Sequence, residues 1–192
     1  MNKWFLATLL TVFFLAGCGG GGDINIAPVT TDNSNTEIEQ APVAVANPCA
    51  SYENSGGQTI QGVADGANCT YSASFLDAGN PLTVDMTIPA LSNGGAHLFS
   101  GSVFVGRNYD NDADLAAAGI TEGGDGPTLT VEAGATVAFA TSSDFMIINR
   151  GSTLFAVGSL SAPITFTSVS DVNGTVGPED VQQWGGMVIN GF

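Results

Sequence analysis

In the stretch YDNDADLAAAGITE, residues 109 to 122, the carboxylates of Asp110, Asp112 and Asp114 alternate. Loop carboxylates spaced in this way are hard oxygen donors of the kind calcium takes, so these three are the candidate calcium ligands of the chain. The stretch departs from the EF-hand pattern at two places. Leu115 stands where Gly would make the sharp turn, and Thr121 where a bidentate Glu should be, with Glu122 one place late. A solvated acidic turn is the competing reading. Nucleophilic catalysis has little to work with: His97 in GAHLFS is the single histidine, and no G-x-S-x-G occurs. Glycoside hydrolysis needs two carboxylates at a fixed separation, and spacing alone does not place Asp144, Asp171, Glu179 and Asp180 against one another. No catalytic residue and no cofactor-binding residue is therefore expected.

Charge narrows the partners. The chain has 18 acidic residues against 3 basic ones, and Lys3 lies in the N-terminal segment, leaving Arg107 and Arg150 as the other cations. Phosphate backbones require a basic surface, so nucleic acid is excluded as a natural partner. An acidic surface of this kind tolerates salt and attracts divalent cations.

The N-terminus indicates location. A short positive segment, Met1-Asn2-Lys3, precedes an uncharged apolar run from Trp4 to Ala16. That run is short for a membrane span and suits the core of a signal peptide. It ends in Leu15-Ala16-Gly17-Cys18, which resembles the lipobox of bacterial lipoproteins. The resemblance implies cleavage of residues 1–17 and acylation of Cys18. Each buried methylene contributes roughly 0.8 kcal/mol, so two or more chains hold a protein stably where one does not. Gly19, with no Asp after the Cys, resembles the sorting pattern that directs lipoproteins to the outer membrane. The expected partner on that side is the membrane, reached through the lipid.

An exported chain folds in an oxidising compartment, and with Cys18 assigned to lipid the remaining pair is Cys49 and Cys69. A disulfide between them is expected, closing a loop that stabilises by about 3 kcal/mol in the chain-entropy model. Two isolated cysteines and one histidine make no zinc pattern.

These residues need elements to position them. Residues 18–48 are polar, punctuated by proline and free of aromatics, and read as a tether. Residues 49–80 are expected to form a disulfide-stabilised cap, and residues 81–192 a β domain. In Leu82-Thr83-Val84-Asp85-Met86-Thr87-Ile88 apolar and polar residues alternate strictly, the pattern of a half-buried strand. Similar segments follow up to Met187–Ile189, whereas helical periodicity is confined to residues 112–119. LTVEAGATVAFA (129–140) aligns with MIINRGSTLFAV (146–157) at an offset of 17, Gly134 matching Gly151 and Thr136 matching Thr153. Short strands broken by Gly turns at a period of roughly 17 to 24 residues suit a parallel β-helix whose coils stack into a solenoid. Residues 168–183 then read as a polar inserted loop.

The motifs Leu129–Gly134, Arg150–Ser152, Ala162–Ser168 and Gln183–Gly191, in that order, resemble a family of bacterial envelope proteins with right-handed parallel β-helix domains. The resemblance covers about residues 75 to 192. It implies an all-β fold in which these motifs are structural, and it carries over no catalytic assignment. In that family further coils follow the last motif, so VQQWGGMVINGF is expected to lie at a cut edge. The expected function is that of an outer-membrane-anchored lipoprotein with a structural, adhesive or glycan-binding role. The alternative is a polysaccharide-active lyase or hydrolase with catalytic coils beyond Phe192.

Overall fold

The computed structural model describes residues 46–192; the expected leader, the expected lipid site Cys18 and most of the expected tether lie outside them. Two antiparallel hairpins come first: β1 (Ser51–Glu53) with β2 (Thr59–Gln61), and β3 (Val63–Asp65) with β4 (Asn68–Tyr71). Cys49 and Cys69 form a disulfide with their Cα atoms 5.4 Å apart, tying the chain ahead of β1 to β4. Serine replacement of both cysteines is expected to cost about 2–4 kcal/mol, read as a lowered urea midpoint; an unchanged midpoint would show that the hairpins hold the cap without it.

From β5 onward every strand pairing is parallel. The chain passes through β5 (Met86–Ile88), β6 (His97–Phe99), β7 (Val103–Val105), β8 (Thr128–Val131), β9 (Thr136–Phe139), β10 (Met146–Ile148), β11 (Thr153–Ala156), β12 (Thr165–Ser168) and β13 (Met187–Ile189). Three sheets take these strands in rotation: β5-β8-β11, then β6-β9-β12, then β7-β10-β13. β4 pairs in parallel with β6, so the second hairpin continues into the second sheet. Parallel partners cannot be joined by a tight hairpin; here each strand's connection to its partner runs through the other two sheets. The fold is all-β, with two short helices set into connections.

Two expectations need correction. The 17-residue offset is not the pairing register: Leu129 pairs with Leu154, 25 residues on. The aligned segments are two corners of one kind, separated by the β9–β10 connection, in which a strand meets a Gly of positive φ and a second strand follows. Gly134 (φ 90) turns β8 into β9, and Gly151 (φ 80) turns β10 into β11. Similar corner chemistry therefore mimicked a circuit repeat. The alternation across 82–88 is also not one strand. Leu82 bridges Val105 alone and a bend follows, leaving Val84 39% exposed instead of inward.

Side chains of equal register stack inside. Met86, Leu129 and Leu154 form one row, and Val103, Met146 and Met187 another. An aromatic column runs beside them: Tyr71 to Phe99 at 4.3 Å, Phe99 to Phe139 at 5.8 Å, and Phe139 to Trp184 at 5.1 Å between centroids, all three pairs stacked. Offset stacks of this kind add roughly 0.5–1.5 kcal/mol each beyond burial. At the corner after the third sheet, buried Asn149 donates to Gly106 O at 2.8 Å and accepts from Asn190 Nδ2 at 3.3 Å. That amide ladder satisfies a polar group that would otherwise be costly to bury.

The connections carry what the repeat does not. Between β7 and β8 lies α1 (Asp112–Ala117), capped by Asn111, whose side chain accepts from Asp114 N–H, and pinned by buried Leu115. Between β12 and β13 lies the expected insertion, with the unforeseen α2 (Val169–Val172) packed against β12 and β9. Its start was legible as Ser168 followed three residues later by Asp171, the signature of an N-cap; the Ser168 side chain accepts from Asp171 N–H.

Gly106 makes a tight corner of positive φ. It has φ +78, and a Cβ placed on it would lie 1.9 Å from Ser152 Oγ. Gly106→Ala is expected to cost about 3 kcal/mol, from left-handed strain and overpacking together. Adding Ser152→Ala should recover only the overpacking share, so full recovery in denaturant melts would contradict the strain argument.

Candidate functional site

Because strand side chains alternate, the buried row of the first sheet fixes what its outer face presents. Met86, Ile88, Leu129 and Val131 point in, so Thr87, Thr130 and Phe155, which share one register, point out. With strands about 4.8 Å apart, the three make a ladder of two hydroxyls and a phenyl ring. Among the described residues neither the Thr87 nor the Thr130 hydroxyl has a hydrogen-bond partner in the protein, and Phe155 is 56% exposed.

A cavity of about 620 Å³ lies over this face. Asp85, Thr87, Thr128 and Thr130 line it, and Cys49, Ala50 and Ser51 form its wall. Asp85 Oδ1 accepts the Thr128 N–H at 2.8 Å, which orients the carboxylate at the end of the ladder. The wall is fastened by the disulfide, by Asn47 Nδ2 donating to Gly62 O at 2.8 Å, and by Ala50 N–H donating to the Tyr71 hydroxyl at 2.9 Å, among other bonds.

That last bond opens a buried chain of polar groups. Pro89 O, a carbonyl, can only accept, so His97 Nε2 donates to it at 2.8 Å. Nδ1 is then bare and accepts the Tyr71 O–H at 2.7 Å. Burial holds the His97 pKa below its ordinary value, opposed by the bond to Pro89, and pushes the Tyr71 phenol far up, opposed by the Ala50 N–H. His97 is fully buried, so it braces the groove wall and does not face the groove as a base.

The expected calcium ligands do not assemble. Among the described residues no group of three or more His, Cys, Asp or Glu side chains is placed to hold a metal ion. Asp112 and Asp114 fall in the first turn of α1, and residues two apart on a helix face away from one another. Asp112 pairs with Arg150 at 2.6 Å, Asp114 accepts from Asn111 Nδ2 at 2.8 Å, and Asp110 precedes the helix.

Other acids serve their own turns. Asp144 accepts from Thr141, Asp171 from the Thr167 hydroxyl, and Asp180 from Gly177 N–H. Asp125 accepts the N–H groups of Thr121 and Glu122, which lower its pKa. On the first sheet the carboxylates are Asp85 and Glu132, and they are tied back at opposite ends of the β5–β8 pair: Glu132 Oε2 accepts Ala90 N–H at 3.1 Å. In register they are four residues apart, about 13 Å along a strand. A glycosidase pair needs roughly 5–9.5 Å.

The face itself escaped sequence reading. Alternation marked Thr87 and Thr130 as outward, but nothing in the spacing said that β5, β8 and β11 are neighbours.

With the geometry in place, comparison adds the class. Residues 108–192 match the family model of a pectate-lyase like β-helix domain, a likeness that fits the parallel strands wound through three sheets. No curated protein and no solved structure matches the chain.

Proposed function

We propose that this chain is an envelope lipoprotein, anchored through Cys18, whose right-handed parallel β-helix solenoid offers the outer face of its first sheet to polysaccharide without cleaving it. The observation that carries the reading is the open ladder Thr87–Thr130–Phe155, whose two threonines line a braced groove, with the two carboxylates of this sheet held too far apart for glycoside hydrolysis. The likeness of residues 108–192 to a pectate-lyase like domain supports a polysaccharide-related role. Free hydroxyls, an oriented carboxylate and an exposed ring are the groups that recognise sugars: the first two bind hydroxyls and the ring takes the apolar face of a pyranose. The tether and the lipid would keep this face at the envelope.

The test is polymer chain length. Soluble polysaccharides incubated with the protein should keep their size distribution and release no reducing or unsaturated ends. Shortened polymer would support the second reading instead, a lyase or hydrolase.

A further inference from the structure

We infer that the groove over the first sheet selects neutral glycans and rejects polyuronates; this rests on the binding role just proposed. The argument is electrostatic. The groove and the ladder contribute one carboxylate, Asp85, and no cation, and Glu132 follows at the end of β8. Among the described residues the cations are Arg107 and Arg150, and both are elsewhere. Arg107 lines a separate cavity with Tyr109 and Asp125, and Arg150 is paired with Asp112 beside Phe192. Recognition of a uronate chain requires a cation, or a metal bridge, at each carboxylate. Here a uronate would lie against Asp85 within a chain of formal charge −15, so like charges would oppose it.

A neutral sugar meets complementary groups at the same places. Asp85 uses Oδ1 on Thr128 N–H, and its Oδ2 is available to accept from a sugar hydroxyl. The Thr87 and Thr130 hydroxyls both donate and accept. Phe155, one strand further along the same row, stacks on the next pyranose. The chain would run across the strands, from the disulfide-held wall toward β11.

Affinity electrophoresis of the full chain in detergent tests this, in gels containing galactomannan or polygalacturonate, each with and without calcium. Galactomannan should retard the protein and polygalacturonate should not, whether or not calcium is present. Phe155→Ala should weaken the galactomannan retardation at least tenfold, with an unchanged melting temperature because the ring is exposed. Retardation by polygalacturonate alone, by both polymers equally, or by polygalacturonate once calcium is added would overturn the selectivity while leaving a binding role intact. Retardation by neither would overturn the binding role itself. A Phe155→Ala variant retarded like the parent would remove the ladder as the site.

Discussion

Phe139→Ala is expected to destabilise the protein by about 3–5 kcal/mol, the range for a large buried aromatic that leaves a cavity. The position is the hinge of the aromatic column. Phe139 is fully buried and stacked on both faces, by Phe99 at 5.8 Å and by Trp184 at 5.1 Å. Truncation removes two ring contacts as well as the buried area, and it separates Trp184 from the rest of the column. Phe139→Leu should cost less, roughly 1–2 kcal/mol, since most of the volume is kept. Phe155→Ala provides the control, because the same deletion on the outer face should stay within about 0.5 kcal/mol. Urea unfolding of the three variants measures this. Equal losses at 139 and 155 would contradict the assignment of inside and outside on which the binding face depends.

The second large effect is a loss of stability in mild acid. The folded protein holds His97 neutral, with its pKa lowered by burial, whereas the unfolded chain takes up a proton at the ordinary value of about 6.5. Below that value unfolding binds a proton that the folded state refuses, so stability falls as pH falls, until the depressed folded value is reached. Within that window the slope is at most about 1.4 kcal/mol per pH unit. Protonation would also place a second hydrogen at Nδ1, where the Tyr71 hydroxyl already donates. Asp125, whose pKa is lowered by backbone N–H groups, acts in a separate window: its contribution is present above the usual carboxylate range and lost below it. Chemical unfolding between pH 7 and 5 should show the slope in the parent and a flatter profile in His97→Gln. The same slope in both would remove His97 as its source.

The architecture was more legible in the sequence than the site. Alternation in segments such as Leu129–Val131 and Thr136–Phe139 marks short half-buried strands, and glycines such as Gly134 and Gly151 mark corners, because only a residue without a Cβ takes those φ values cheaply. Cys49 and Cys69 are the expected pair, and they form the disulfide. What escaped depends on register. The Gly corners repeat at 17 residues while Leu129 pairs with Leu154 at 25, and the insertion carrying α1 stretches the previous step, Met86 to Leu129, to 43. Pairing between circuits of unequal length leaves no fixed period to read, so the meeting of Thr87, Thr130 and Phe155 was hidden. The aspartates misled for a related reason: Asp110, Asp112 and Asp114 alternate as loop ligands would, but Asn111 caps a helix there and helical rotation turns Asp112 and Asp114 apart.

Hydrogen exchange of the full chain in detergent, with and without saturating galactomannan, tests the central claim most directly. Protection is expected to rise at 85–89, 128–132 and 153–157, the three strands and flanks of the first sheet, with the polymer recovered at its original length. Protection confined to the insertion at 169–186, or no change at the first sheet while the polymer shortens, would contradict it.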